Sequence, residues 1–130
     1  MTRDLHGKRI LIVEDEYLIA RQVRRAIEAS GGTVAGVVGT VADALRIVDA
    51  DPAIDAAVLD VNLGGERITP VAQRLADTGV PFLFSSGYEK AEFVSAFGHA
   101  PHLRKPTTAP QLIAGLIAVL AADGATDDNR

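Results

Sequence analysis

The sequence predicts a doubly wound α/β domain, with five parallel strands in one sheet and helices on both faces. Short uninterrupted apolar runs recur along the chain, segments with helical spacing lie between them, and turn-forming residues fall at the junctions. A chain of 130 residues, 48% hydrophobic, suits one such domain with a single core region.

Ile10–Val13 is the first apolar run, followed by a helical face of Ile19, Val23, Ala26 and Ile27 that stops at Gly31-Gly32. The second strand is Val34–Val38, and Val41, Ala44, Leu45 and Val48 line the helix after it, closed by Asp51-Pro52. Ala56–Leu59 is the third strand, and Val71, Ala72 and Leu75 mark a third helix ended by Gly79 and Pro81. Phe82–Phe84 is the fourth strand, and residues 88–97, with Phe93, Val94 and Phe97, read as a short fourth helix. Pro101–Arg104 supplies the fifth strand. Leu112, Ile113, Leu116, Ile117 and Leu120 give the fifth helix, with Thr107 and Thr108 as caps and Pro110 in its first turn. Apolar runs this continuous are expected to be buried on both faces. Alternation of strand and helix in this order implies right-handed crossovers and a parallel sheet. The domain is expected over residues 8–121, with residues 122–130 a disordered acidic tail.

Composition narrows the function. A formal net charge of -4 and an isoelectric point near 5.3 argue against nucleic-acid binding, which needs a basic surface to displace counterions. With no cysteine, disulfides, zinc-thiolate sites and thiol nucleophiles are excluded. The polar start, Met1 to Arg9, lacks the apolar stretch of a secretory signal, and no apolar run is long enough for a membrane span. A cytoplasmic location is expected.

In a sheet of this kind ligands bind beyond the carboxyl ends of the strands. The residues there are Glu14-Asp15, Asp60, Ser85-Ser86-Gly87 and Lys105-Pro106. Three carboxylates within a few ångströms raise one another's pKa unless positive charge is added. A hard cation such as Mg²⁺ supplies it through oxygen ligands, and Lys105 adds an ammonium. Asp60, at the end of a buried central strand, is the natural nucleophile, able to accept phosphoryl as an acyl phosphate. Cation and lysine would stabilise charge on the equatorial oxygens.

In order and context, Glu14-Asp15, Asp60, Ser86-Gly87 and Lys105-Pro106 resemble the receiver domain of bacterial response regulators, over roughly Lys8 to Ala121. Leu59 to Glu66 is similar to a subgroup of small single-domain receivers found beside kinases of the HWE or HisKA2 type. The resemblance implies a flavodoxin-like (βα)5 sandwich with strand order 2-1-3-4-5. It implies that Asp60 takes phosphoryl from a sensor histidine kinase or a histidine phosphotransfer protein, as a phosphoacceptor and not as an enzyme turning over a substrate. It further implies that Asp15, Asp60 and the backbone carbonyl of Asn62 bind Mg²⁺ (or Mn²⁺), with Glu14 holding metal-bound water. Ser86 would hydrogen-bond a phosphoryl oxygen, Gly87 would keep the approach open, Lys105 would pair with the phosphoryl group, and Lys105-Pro106 would be cis.

The chain departs from the family in places. Gly64-Gly65 stands where many receivers carry proline, which is expected to leave that loop more mobile. His102 occupies the switch position, usually Tyr or Phe, so the aromatic coupling between hydroxyl and ring is in doubt. The interval from Ser86 to Lys105 is short, which would trim the fourth helix. Tyr88 lies at a rim position that in this family governs acyl-phosphate hydrolysis. If its ring shields the site from water, Tyr88→Ala loses phosphate faster; an unchanged rate rejects that role.

Blander readings exist for each motif. Glu14-Asp15 alone would be a solvated strand end, Ser85 and Ser86 turn residues, and Lys105 a surface charge; it is their coincidence that outweighs these. His6, His99 and His102 share no spacing with Glu or Cys that suggests a metal site. Arg21, Arg24 and Arg25 are most simply a solvated helix face, with contact to an acidic kinase surface as the sharper alternative. A haloacid-dehalogenase-type phosphatase would need an Asp where Asn62 stands, and no glycine fingerprint supports dinucleotide binding. A pseudo-receiver adaptor that works without phosphorylation stays open because of His102. With one domain in view, the output is expected to leave through an unknown protein partner. Self-association through the fourth helix, fifth strand and fifth helix also stays open.

Overall fold

The computed structural model describes residues 4–87, 97 and 100–128. In chain order the elements are β1 (Arg9–Val13), α1 (Tyr17–Ala29), β2 (Thr33–Val38), α2 (Val41–Ala50), β3 (Ala56–Asp60), β4 (Asn62–Leu63), β5 (Glu66–Arg67), α3 (Thr69–Asp77), β6 (Phe82–Ser86), β7 (His102–Arg104) and α4 (Ala109–Asp128). Five strands form one sheet in the order β2-β1-β3-β6-β7, every pairing parallel. With the unforeseen β4–β5 hairpin set aside, this is the expected order 2-1-3-4-5.

Alternation along each inner strand splits the core in two. Leu11 and Val13 of β1, Ala57 and Leu59 of β3, and Phe82 and Phe84 of β6 face α2 and α3. Ile10, Ile12, Ala56, Val58 and Leu83 face α1 and α4. Both faces being covered explains why these runs lack polar residues. Each fully buried Leu, Ile or Phe contributes roughly 1.5–3 kcal/mol. Phe82 meets Phe84 and Phe97 edge-on, with ring centroids 5.5 and 5.9 Å apart. The expectation of two buried faces fails for β2. It is an edge strand with one neighbour, no residue of it is fully buried, and Val37 is 39% exposed.

At the last helix, Thr108 Oγ1 accepts from the Gln111 N–H while Gln111 Oε1 accepts from the Thr108 N–H, a reciprocal cap. α4 then runs through Asp128, into the stretch from residue 122 where the sequence suggests a disordered acidic tail. Ala121, Ala122 and Ala125 have the highest helix propensity and extend it past the expected stop. Among the described residues, no helix is long and apolar enough to cross a membrane. The fourth helix expected over 88–97 lies outside the described residues, apart from the buried Phe97.

Candidate functional site

Because all five strands run the same way, their carboxyl ends share one edge. Glu14 and Asp15 follow β1, Asp60 ends β3, Ser86 ends β6 and Lys105 follows β7. One carboxylate oxygen from each of Glu14, Asp15 and Asp60 lies within 4.8 Å of the others; Glu14 and Asp60 are buried, Asp15 exposed. Lys105 Nζ stands 3.1 Å from Glu14 Oε1 and 3.3 Å from Asp60 Oδ1. The Lys105 backbone is held in turn, its N–H donating to the Ser86 carbonyl at 2.7 Å. Asp60 Oδ1 also accepts from the Asn62 N–H at 3.1 Å, and Glu14 Oε2 accepts from the Glu16 N–H at 3.1 Å. The Lys105-Pro106 peptide is cis, as expected.

Burial, and next the charge of Glu14, push the Asp60 carboxyl up to about 7; the Asn62 N–H and Lys105 oppose this without cancelling it. Burial alone would lower the Lys105 ammonium, but its bond to Glu14 and the charge of Asp60 outweigh that and raise it. Three carboxylates facing one ammonium leave a surplus of negative charge in a partly desolvated corner. Oxygen donors of this number and charge match a hard divalent cation, and Glu14, Asp15 and Asp60 could hold one.

The hairpin beside Asp60 was not legible as one. Leu63 pairs with Glu66 across Gly64-Gly65, whose φ values of 57° and 92° are those a two-residue primed turn demands. Instead of the expected loose loop, the segment is pinned. Leu63 is buried in the core, Asn62 Oδ1 accepts from the Gly65 N–H, and Glu66 Oε1 accepts from the Val41 N–H at the start of α2. Gly39 is a second missed contributor: a Cβ there would stand 3.3 Å from the Asp15 Cα, so the β2–α2 connection passes close behind the acidic pair. Nothing in the local sequence of Glu66 or Gly39 signals these contacts.

Ser86 is almost fully buried, and its Oγ is hydrogen-bonded to His102 Nε2. The register explains the meeting. His102 pairs with Phe84, so its side chain shares a face with residue 86, two positions along. Ser85 instead lines a cavity of about 500 Å³ between α1 and the β7–α4 connection. Gly87 is half-buried at the strand end. His6 is exposed, and no histidine joins the acidic cluster among the described residues. Tyr88 and His99 lie outside the described residues.

Residues 10–117 match the response regulator receiver domain family. The chain is 46% identical to SdrG from Sphingomonas melonis Fr1, whose solution structure it matches with a TM-score of 0.77 over 87% of this chain and 96% of that one. A response regulator receiver protein from Sinorhizobium medicae WSM419 is 25% identical, with a TM-score of 0.82 over 92% of this chain and 98% of the other. The receiver domain of a modulated diguanylate cyclase from Desulfovibrio desulfuricans G20 is 26% identical, with a TM-score of 0.81 over 91% and 97%. No curated protein matches the sequence.

Proposed function

The chain belongs to the response regulator receiver domain family of two-component signalling, and on that premise we propose that it is an active phosphoacceptor whose message passes by protein contact. Asp60 is the acceptor. A carboxylate oxygen attacks the phosphorus of a phosphohistidine on a sensor kinase or histidine phosphotransfer protein. The P–N bond breaks, its electron pair stays on the imidazole nitrogen, and an Asp60 acyl phosphate remains. Glu14, Asp15, Asp60 and the backbone carbonyl of Asn62 would hold Mg²⁺ or Mn²⁺, directly or through water, and such a cation supplies charge neutralisation at the phosphoryl oxygens. Lys105 covers the oxygens on its own side. Ser86 donates its hydroxyl to another, and Gly87 leaves the donor's path open.

The observation that carries this reading is the surplus of carboxylate around Asp60. An adaptor that never bound cation or phosphoryl would have no use for two buried carboxylates, Glu14 and Asp60, beside one lysine. The test is intact mass after incubation with a small-molecule phosphodonor and Mg²⁺. Wild type should gain one phosphate and Asp60→Ala none. Equal labelling of both proteins, or of neither, overturns the reading, and continuous release of phosphate over many turnovers would indicate a phosphatase.

A further inference from the structure

We propose that Glu66 is a positioning residue for the divalent cation. By accepting the Val41 N–H, it holds the hairpin that carries Asn62 against the loop that carries Asp15. This rests on the phosphoacceptor reading above, in which the Asp15 carboxylate and the Asn62 backbone carbonyl share the ion. A hairpin with two residues in each strand is marginal by itself. Its first strand is anchored at both residues: Leu63 is buried in the core, and the Asn62 N–H donates to Asp60 Oδ1. The second strand, Glu66–Arg67, is exposed and is tied to α2 by Glu66 Oε1, 3.0 Å from Val41 N.

Val41 is the first residue of α2, where a backbone N–H has no partner inside the helix and a carboxylate is favoured by the helix dipole. The connection leading into α2 also reaches the acidic pair. The Glu14 N–H donates to the Val38 carbonyl at 2.9 Å. The Gly39 backbone passes so near that a Cβ there would stand 3.3 Å from the Asp15 Cα. The hairpin turn closes the ring, since a Cβ on Gly64 would stand 3.6 Å from Asp15 Oδ2. Residues 38–41 therefore touch both segments that bring ligands to the ion, and Glu66 is the clasp between them. With the clasp open, the hairpin samples positions that leave the Asn62 carbonyl out of reach of an ion on Asp15. Apparent affinity then falls in proportion to the fraction of time the hairpin spends in place. By the same linkage, a bound cation tightens the clasp.

The experiment titrates Mg²⁺ against the backbone amide shifts of the chain, with thermal melts in chelator and hydrogen exchange at the Val41 amide. Glu66→Ala should weaken Mg²⁺ binding roughly three- to tenfold, the range of one net hydrogen bond. Glu66→Gln keeps an acceptor oxygen and drops the charge, so it should stay within about twofold of wild type. Val41→Pro deletes the donor from the other side. Proline suits the first position of a helix, and Thr40 already has the extended backbone that a residue before proline needs, φ −133° and ψ 157°. It should match Glu66→Ala, and the double variant should bind no more weakly than either single one, since both remove the same bond. In wild type, Mg²⁺ should slow exchange of the Val41 amide; in Glu66→Ala it should not. A Glu66→Ala chain with a lower melting temperature but wild-type Mg²⁺ affinity would reduce Glu66 to a helix cap and overturn the proposal. A Gln variant as weak as Ala would assign the effect to charge and overturn it too, as would losses that add in the double variant. A wild-type chain indifferent to Mg²⁺ would overturn the phosphoacceptor reading itself, and this one with it.

Discussion

Two charged clusters sit at opposite ends of the same strands, and they are built on opposite plans. At the amino edge, Arg9 opens β1 between two carboxylates. Its backbone N–H donates to Asp55 Oδ2 at 2.8 Å, and its guanidinium meets Asp51 Oδ2 at 2.5 Å. The Arg9 guanidinium beside Asp51, then the Ala53 N–H, hold that carboxyl below the usual carboxylate range. At the carboxyl edge, Lys105 pairs with Glu14 and Asp60 while Asp15 adds a third carboxylate beside them, and Asp60 is pushed up to about 7. In the first cluster each carboxylate accepts a hydrogen bond from Arg9, although the buried Arg9 Nε has no partner among the described residues, and these contacts fasten β1 to β3. Among the described residues the second cluster has more carboxylates than cations, so its lowest energy is reached with something added. Uncompensated charge on a rigid frame is what a binding site needs and what a structural site avoids.

The largest expected effect breaks the comparison through pH. In the folded chain the Asp60 carboxyl holds its proton to about pH 7, whereas in the unfolded chain it releases it near pH 4. Between those values the folded state binds more protons, so metal-free stability falls as pH rises through this window and the loss is complete above it. A shift of this kind carries about 1.4 kcal/mol per unit, giving roughly 2–4 kcal/mol across the window after relaxation. Denaturant melts in chelator at pH 4.5 and 7.5 check it. Asp60→Asn should flatten the slope, and Mg²⁺ should restore wild-type stability at pH 7.5. A slope unchanged by Asp60→Asn would mean that the burden lies elsewhere.

Lys105→Ala should have the next largest effect. It removes the ammonium from both Glu14 and Asp60 and takes a preorganised positive charge from the phosphoryl oxygens. Labelling by a small-molecule phosphodonor should slow about 10²-fold. A loss below threefold at saturating Mg²⁺ would show that the lysine only offsets the carboxylates in the resting protein.

The same contrast explains what was legible in the sequence. Glu14, Asp15, Asp60, Ser86 and Lys105 could be found because each follows a short apolar run. In a parallel sheet that position alone puts them on one edge. The inner strands were legible for a related reason: Ile10–Val13 and Ala56–Leu59 are covered on both faces and carry no polar residue. What escaped depends on contacts between distant parts of the chain. The edge position of β2 follows from which strands pair, not from the sequence of Val34–Val38 itself. Glu66 reaches Val41 across 25 positions, and His102 meets Ser86 across 16; neither spacing has a period. Gly64-Gly65 could have been read as a primed turn, but only two residues flank it on each side as strand, too few for a visible alternation. The helix beyond residue 122 was obscured because acidic composition suggested solvation while the alanines favoured helix.

The smallest expected effect sharpens the comparison from its quiet end. Asp55 takes the place of a strand residue at the start of β3. Its N–H donates to the Arg9 carbonyl at 2.8 Å, and its carboxylate accepts the Arg9 N–H. Asp55→Ala keeps the first bond and deletes the second, leaving one backbone donor of a half-buried residue to water. Loss of one hydrogen bond to a charged acceptor costs about 1–2 kcal/mol, less where water can replace it. Thermal melts should show that fall, while labelling at Asp60 and its Mg²⁺ dependence stay at wild-type values, since β1 and β3 remain paired from Ile10 to Val13. A change in phosphorylation would mean that the two ends of the strands communicate, and that the amino-edge cluster is part of the switch instead of only the fastening that holds it.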